Sequence, residues 1–322
     1  MSHASHPFAP RNGERHDAGH LLLGFADYRG QALRLAAELD IPSDEVAIHR
    51  FPDGESRVRV PLAESTGPSD VGRLARHVIF CRSLDRPNDK LIELLLAART
   101  AREYGAERLT LVAPYLCYMR QDMAFNPGEA VSQRIVGALL AEVFDDVITV
   151  DPHLHRVNRI EEAVPARHAL ALSSAQPMGE FLAKRLEDPL LIGPDAESEQ
   201  WVAALAEPGR LDHAVSTKRR LGDQNVQVQV PDCDVKGRTV VLVDDMISTG
   251  HTAAGAAEAL KARGAGEVYC VVAHALFAAD APRVLAQAGV AQVWSSDSID
   301  HETNAVHLAG LLAGALRPLL NA

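Results

Sequence analysis

One stretch of the chain combines acidic and hydroxyl side chains at a spacing that suits a phosphorylated sugar: V-V-L-V-D-D-M-I-S-T-G-H-T, residues 240–252. Its apolar start predicts a strand buried on both faces, and the following A-A-G-A-A-E-A-L-K-A-R predicts a helix. Free N–H groups of a turn and a helix start attract phosphate. Asp244 and Asp245 suit the vicinal hydroxyls of a sugar, bound directly or through Mg²⁺. The alternative is an ordinary strand–helix turn whose aspartates cap the helix.

A run of three cations, Lys218, Arg219 and Arg220, is the second chemical feature. We expect it to end a strand of the same sheet as Asp244 and to lead into L-G-D-Q-N, a mobile loop. Three adjacent cations beside a phosphate site suit the negative charge that develops on a phosphoryl group during transfer. The alternative is a basic strand end that is exposed to solvent.

Further polar residues follow other predicted strands. Arg120 and Gln121, in Y-M-R-Q-D, have the chemistry to grip a phosphate and to hydrogen-bond a base. His153 in D-P-H and Asp195 in G-P-D each come directly after another strand. A zinc site built on His153 and His155 lacks a second cluster of ligands. Oxygen ligands with one histidine favour Mg²⁺ that arrives with a nucleotide.

Strands and helices alternate along the whole chain, which predicts an α/β fold with two mainly parallel sheets flanked by helices. The pattern lapses between Arg156 and Ser174, so we expect the domain junction there. The predicted segments are a flexible arm at 1–19 within a first domain at 1–165, a second domain at 166–304, and a helix at 305–322 that packs back on the first domain. Ligands bind beyond the carboxyl ends of parallel strands, where the polar clusters stand.

The composition of the chain limits its partners. Its 322 residues are 47% hydrophobic and 23% charged, as in an ordinary globular protein long enough for two domains. The net charge of −11 argues against nucleic acid as a partner, because phosphate-backbone binding needs a basic surface. No apolar run is long enough to cross a membrane, and the N-terminus lacks the apolar core of a signal peptide. Four scattered cysteines favour reduced thiols, so we expect a cytoplasmic location.

Seven motifs together resemble one enzyme family: F-P-D-G-E (51–55), N-D-K-L-I-E-L-L (88–95), P-Y-x-x-Y-x-R-Q-D (114–122), D-P-H (151–153), G-P-D (193–195), K-R-R (218–220) and V-D-D-M-I-S-T-G-H-T (243–252). Their order and spacing are similar to those of ribose-phosphate diphosphokinases, which synthesise phosphoribosyl diphosphate (PRPP). The resemblance implies two domains of the type I phosphoribosyltransferase fold. It also implies that diphosphate passes from ATP to ribose 5-phosphate in the presence of Mg²⁺, giving AMP and PRPP.

The resemblance implies a role for each motif. Ribose 5-phosphate binding is implied for Asp195, Asp244, Asp245, Ser248, Thr249, Gly250, His251 and Thr252. ATP binding is implied for Arg120 and Gln121, and also for Phe51, Asp53 and Glu55, which would reach the adenine from a neighbouring subunit of a homo-oligomer. The implied Mg²⁺ ligands are His153 and Asp195, and the implied catalytic cations are Lys218 and Arg220.

The chain departs from the family pattern in three places. Ser248 stands where the usual D-D-x-x-D-T turn has its third Asp, and G-P-D-A-E-S-E replaces S-P-D-x-G-G, which adds Glu197 and Glu199. After R-Q-D, the segment M-A-F-N-P-G-E-A-V-S is closer to the archaeal-type branch than to the bacterial housekeeping branch. Two alternatives stay open: a phosphoribosyltransferase that consumes PRPP, which leaves the duplicated domain unexplained, and a catalytically silent regulatory paralogue.

Overall fold

The computed structural model describes residues 19–62, 72–154, 156–157, 159–194, 198–220, 226–229, 231, 233–278 and 280–321, with backbone only at 217–220 and 226–229. Contacts divide the chain into two compact units. The first unit contains residues 1–172 and 309–322, and the second contains Ser173–Leu308. The sequence places the two boundaries after residues 165 and 304, so the first unit is longer than expected.

The helices and strands are as follows. The strands are β1 His20–Phe25, β2 Ser43–Arg50, β3 Ser56–Arg59, β4 His77–Cys81, β5 Arg108–Val112, β6 Asp146–Val150, β7 His168–Leu172, β8 Leu190–Gly193, β9 His213–Val215, β10 Thr217–Arg220, β11 Val226–Gln229, β12 Val240–Met246, β13 Val268–His274, β14 Val290–Ser296 and β15 Asn304–Val306. The helices are α1 Arg29–Leu39, α2 Pro87–Glu103, α3 Ser132–Ala141, α4 Ile160–Ala163, α5 Ala175–Arg185, α6 Glu199–Ala206, α7 His251–Ala262, α8 Ala281–Gln287 and α9 Ala309–Leu320.

The first unit is built on a sheet whose described strands run in the order β3-β2-β1-β4-β5-β6-β7. Neighbouring strands are parallel except β2 and β3, which form an antiparallel hairpin. Every residue of β4 and of β6 is buried, because helices cover both faces of the sheet. The chain adds strands in one direction from β1 to β2 and in the opposite direction from β4 to β6. Because such crossovers are right-handed, α1 lies on one face of the sheet and α2 and α3 on the other.

The C-terminal helix α9 belongs to the first unit and packs beside α1. The Arg317 guanidinium donates to the Glu38 carbonyl at 2.9 Å. Arg108, at the start of β5, donates from Nη1 to the Leu319 carbonyl at 2.8 Å. Residues more than two hundred positions apart therefore close this unit.

The expectation of a lapse between Arg156 and Ser174 is wrong, because this stretch contains α4 and β7. β7 pairs in parallel with β6 and forms the described edge of the first sheet. Its sequence H-A-L-A-L is short and lies next to an edge, so its apolar signal is weak. The first sheet therefore continues past residue 165, and the first unit ends at Leu172, within the stretch where the junction was expected.

The second unit contains a sheet whose described strands run in the order β15-β14-β13-β12-β8-β9, all in parallel pairs. Its central strand begins with Val240–Val243, which is fully buried. Val240 and Leu242 pack in a core that includes α7, and Val241 and Val243 pack on the opposite face against α5 and α6. These two sheets confirm the predicted α/β class and the buried strand before Asp244. No helix in the described ranges is both long and apolar enough to cross a membrane.

A buried polar cluster closes the amino-terminal edge of the first sheet. His77 is only 5% exposed, and its Nε2 lies 2.8 Å from Thr110 Oγ1. The Nδ1 atoms of His77 and His20 are 3.2 Å apart, so one ring must donate while the other accepts. Burial, followed by the charge of nearby Arg108, lowers the pKa of His77 to about 4.

We predict that acid destabilises the first unit through His77. Between the folded pKa of about 4 and the ordinary value of 6.5, the unfolded chain binds a proton that the folded chain does not. The stabilisation is therefore complete above the ordinary pKa and is lost as the pH falls through this window, by on the order of 3 kcal/mol at its lower end. Urea unfolding at about pH 7.5 and about pH 5 measures the difference.

The variant His77→Gln should flatten this pH dependence. His213→Gln is the matched control, because His213 is an exposed histidine. The control should keep the pH dependence of the parent chain. Equal slopes in all three proteins would contradict the assignment to His77.

Candidate functional site

The turn between β12 and α7 lies where the strand order of the second sheet reverses, beside the end of β8. Such reversal points open a crevice beyond the carboxyl ends of the strands. Asp244 and Asp245 are half-buried at this edge, and the Asp245 N–H donates to Asp244 Oδ1 at 2.9 Å. This bond orients the Asp244 carboxylate at the mouth of the crevice.

Gly250 allows the chain to enter α7 directly. Its φ of 78° lies in the left-handed region, and a Cβ added there would lie 3.3 Å from the Ala281 carbonyl oxygen. The Ala278 N–H donates to the Ser248 carbonyl at 2.8 Å, which holds the turn from the other side. The turn is thus fixed by backbone geometry, and its polar side chains need not hold it.

The hydroxyl-bearing side chains of the turn, Ser248, Thr249 and Thr252, are exposed. Beside them the first N–H groups of α7 are the unpaired groups at a helix N-terminus, which carries a partial positive charge. Hydroxyl donors next to such a terminus bind phosphate well. The turn therefore presents these hydroxyls and the helix N-terminus on an accessible surface, as the predicted anion site would require.

A small cavity of about 20 Å³ lies under this turn. Asp244 and Thr252 line it together with Pro194, which follows β8, and Ser216, which follows β9. Cys270 closes the cavity from below, and burial together with the charge of Asp244 raises the pKa of its thiol. The Cys270 thiol is therefore unreactive and only lines the cavity. Because Pro194 lines the same cavity, the end of β8 lies beside the turn. Asp195, which follows Pro194 in the sequence, lies outside the described residues.

The cation triplet does not lie in the sheet of Asp244, so that expectation is wrong. The strand β9 ends at Val215, and the Ser216 N–H donates to the Gly193 carbonyl at 2.9 Å. After this bond the chain leaves the sheet. Residues 217–220 then form β10, which pairs antiparallel with β11 in a separate two-stranded ribbon. Lys218 is paired with Val228, and Arg220 with Val226. The loop L-G-D-Q-N between them lies outside the described residues.

In the first unit, the segment 118–122 follows β5 and carries the predicted ATP residues. Tyr118 has a φ of 60°, which is strained for a non-glycine residue, and its hydroxyl contacts Asn88 on α2. The buried Gln133 on α3 holds the segment: its N–H donates to the Gln121 carbonyl, and its side chain donates to the Met119 carbonyl. Arg120 is exposed next to these fixed residues.

A second bond joins this segment to the loop after β6. Asp122 Oδ1 accepts from Arg156 Nη1 at 2.7 Å, and only 3% of the Asp122 side chain is exposed. Arg156 lies in the same loop as His153, which is half-buried. The two loops that carry predicted site residues are therefore tied together.

The F-P-D-G-E motif forms the tip of the β2–β3 hairpin. The Phe51 N–H donates to the Glu55 carbonyl at 2.8 Å, and the Gly54 N–H donates to the Phe51 carbonyl at 3.0 Å. Gly54 takes a φ of 93°, as the tight turn requires. Phe51 is 40% exposed, and Asp53 and Glu55 are exposed as well. An exposed aromatic residue with two exposed carboxylates on the same hairpin tip suits a surface for a nucleobase.

The donors in the described ranges fit Mg²⁺ better than a caged metal. They contain no group of three or more His, Cys, Asp or Glu side chains able to hold a metal ion. His153 offers one nitrogen, and Asp244 and Asp245 offer oxygens at the edge of the second sheet. Mg²⁺ keeps several waters and takes few protein ligands when it binds with phosphates. The donors of each unit, taken separately, fit such an ion.

Sequence reasoning missed the residues that hold these segments in place. Gln133, Arg156 and Ser216 have no motif signal of their own, because their partners are carbonyls or carboxylates far away in sequence. The exception is Gly250, whose position between a hydroxyl-rich turn and a helix start indicates a left-handed conformation.

Comparisons with known proteins place this geometry in context. Two family models match: the N-terminal domain of ribose phosphate pyrophosphokinase over residues 22–143, and the phosphoribosyl synthetase-associated domain over residues 193–317. The ribose-phosphate pyrophosphokinase of Methanopyrus kandleri is 36% identical over 289 residues, 89% of this chain and 94% of that protein. The enzyme of that name from Vibrio vulnificus is 33% identical over 301 residues, covering 90% and 92%.

The fold has a similar counterpart among solved structures. The crystal structure of phosphoribosylpyrophosphate synthetase from Mycobacterium smegmatis superposes with a TM-score of 0.76 at 25% identity. The match covers 94% of this chain and 99% of that chain. The similarity therefore extends over both units.

Proposed function

The chain belongs to the ribose-phosphate pyrophosphokinase family, and from this membership we propose how its residues carry out the reaction. It is a diphosphotransferase: the anomeric hydroxyl of ribose 5-phosphate attacks the β-phosphorus of ATP, giving PRPP and AMP. The observation that carries this function is the match over 89% of the chain to a ribose-phosphate pyrophosphokinase. Incubation with MgATP and ribose 5-phosphate tests it, because AMP must appear. No AMP would favour a silent regulatory paralogue.

The turn between β12 and α7 is the proposed ribose 5-phosphate site. The start of α7 and the exposed hydroxyls bind the phosphate, with Gly250 and His251 supplying backbone. Asp244 and Asp245 accept hydrogen bonds from the ribose hydroxyls, and so would Asp195, which comes after β8 in the sequence; β8 pairs with β12. The cavity shared by Asp244, Thr252 and Pro194 supports this grouping.

The first unit is the proposed ATP side. Arg120 contacts the phosphates and Gln121 hydrogen-bonds the base, in a segment held rigid by Gln133. His153 and Asp195 would hold Mg²⁺, which neutralises charge on the phosphate oxygens when it is bound. We assign no residue as general base. The role of the chain is placement and charge stabilisation, as in other phosphoryl transfers.

We also propose that the chain stands closer to the archaeal-type branch of the family. The support is the segment M-A-F-N-P-G-E-A-V-S after R-Q-D, where housekeeping bacterial members carry a basic run. In that branch, inhibition by ADP should be relieved completely by excess ATP. Inhibition that persists at saturating ATP would place the chain with the housekeeping branch.

A homo-oligomer is proposed in which Phe51, Asp53 and Glu55 reach the adenine site of a neighbour. Their exposed hairpin supports this, and so does an apolar surface on α2 and α3. Four large apolar side chains are exposed there: Ile92 at 57%, Leu96 at 44%, Ile135 at 59% and Leu139 at 36%. An exposed cluster of this kind is typical of a protein interface.

The assembly is tested by charging this surface. Ile135→Glu should produce a smaller species in light scattering and should weaken ATP binding, because the neighbour's hairpin is lost. Ala37→Glu is the control, since Ala37 is exposed on α1 at the opposite face of the sheet. A parent chain that is monomeric and fully active at assay concentration would refute the shared site.

The sugar site is tested by Asp245→Asn. The amide keeps the size of the carboxylate but removes a charged acceptor, which typically costs about 1.5–3 kcal/mol, or about ten- to a hundredfold in affinity. We expect the KM for ribose 5-phosphate to rise far more than the KM for ATP. Asp212→Asn, at a carboxylate paired with Arg238, should change neither KM. Equal losses toward both substrates would indicate a folding role for Asp245.

The catalytic cations are tested by three alanine variants. Lys218→Ala and Arg220→Ala should each lower kcat by roughly a hundred- to a thousandfold with little change in KM, because a preorganised cation is removed from the transition state. Arg219→Ala should cost much less, since successive residues of a strand point to opposite sides. Three equal effects, or effects confined to KM, would show a basic strand end or a substrate tether instead.

A further inference from the structure

The carboxylate of Glu93 is fully buried on α2, and the reaction as described does not use it. Its Oε2 accepts from Arg82 Nη2 at 2.7 Å. Its Oε1 accepts from Ser56 Oγ at 2.9 Å and from Arg50 Nη2 at 3.2 Å. A single side chain therefore binds three residues from three different strands or strand ends.

Two of these partners stand at the base of the exposed hairpin. Arg50 is the last residue of β2 and Ser56 is the first of β3, and the two are paired across the antiparallel ladder. Between them lies only the tip, residues 51–55, whose backbone hydrogen bonds among the described contacts are local. The direction in which the tip points is therefore set at its base, where Glu93 holds both strands.

The third partner makes the contact rigid. Only 4% of the Arg82 side chain is exposed, and Arg82 also lies 3.1 Å from Asp27 and stacks over the Phe25 ring at 4.3 Å. This guanidinium supplies the counter-charge that a buried carboxylate requires. Hydrogen bonds to a charged acceptor are stronger and more directional than those between neutral groups. Arg82 thus fixes the Glu93 carboxylate to the sheet independently of its bonds to the hairpin.

We infer that Glu93 is a positioning residue for ATP: it fixes the hairpin that presents Phe51, Asp53 and Glu55 to the adenine. This inference rests on the proposed adenine role of the hairpin. It assigns a function to the motif N-D-K-L-I-E-L-L, in which Glu93 is the sixth residue. Glu93 acts on the hairpin tip through its bonds to Arg50 and Ser56.

Ser56→Ala is the main test, because it removes one bond to Glu93 without leaving a buried charge unpaired. We expect the KM for ATP to rise by about three- to tenfold, while kcat and the KM for ribose 5-phosphate change less than about twofold. Ser56→Thr keeps the hydroxyl and should restore the KM for ATP. Hydrogen exchange at residues 51–55 should be faster in Ser56→Ala than in the parent chain.

Glu45→Gln is the matched control. Glu45 lies toward the other end of β2 and accepts two bonds from Arg29, at 2.6 and 2.8 Å; none of its hydrogen bonds among the described contacts reaches the hairpin tip. It should leave the KM for ATP unchanged. A rise equal to that of Ser56→Ala would show that any weakening of β2 has this effect, and would overturn the inference.

Phe51→Ala separates the inference from the proposal on which it rests. A raised KM for ATP in Phe51→Ala together with an unchanged KM in Ser56→Ala and in Arg50→Ala would overturn the anchoring role but keep the adenine role. An unchanged KM in all three would overturn both. Parallel rises in the two substrates' KM values would show a general structural effect and would also overturn the inference.

Discussion

Both units depend on one constraint: parallel strands end at the same edge of a sheet, and a ligand crevice opens where the strand order reverses. In the first sheet the reversal lies between β1 and β4, and in the second it lies between β8 and β12. The first crevice is filled by paired charges, since Arg82 and Lys90 both bind Asp27 there and are 4% and 12% exposed. The second is bordered by Gly193 and Pro194, which are small and uncharged. Among the described residues, the two reversal points therefore differ: paired charges lie at the first, and small uncharged residues border the second.

The electrostatics of the sugar site follow from its backbone. A chain with a net charge of −11 must bind two anionic substrates, so the attraction has to be local. In the proposed sugar site, the N-terminus of α7 supplies part of this attraction. Ser248 is uncharged, so the turn carries one negative charge fewer than a turn with the aspartate usual for the family.

The sequence predicts those features of the fold whose signals are local. The strand β12 before Asp244 and the helix α7 after it are both predicted, because apolar runs and glycine-containing turns are read from neighbouring residues. The edge strand β7 and the separate ribbon of β10 were not predicted. Their positions depend on which strands lie beside them. The chain leaves the second sheet only after Ser216, whose N–H still donates to the Gly193 carbonyl of β8.

The candidate site divides in the same way. Asp244 and Asp245 are recognisable from their position after a buried strand, and Phe51, Asp53 and Glu55 from a turn motif. The side chains that hold them are not, because Glu93 is 43 residues from Arg50 and Asp122 is 34 residues from Arg156. Sequence patterns indicate which groups can react. Long-range polar contacts determine where those groups are held.

The use of buried charge for such contacts has a physical reason. Removing Arg82 and Glu93 from water is unfavourable, and a well-packed apolar pair of similar size would often be as stable. Apolar contacts have little directional preference, however, and would let the hairpin turn about its base. A carboxylate with partners on both of its oxygens allows few orientations. The hairpin tip has no long-range bond of its own among the described contacts. Its orientation therefore depends on directional bonds where the hairpin begins and ends, as the proposed docking of a nucleobase would require.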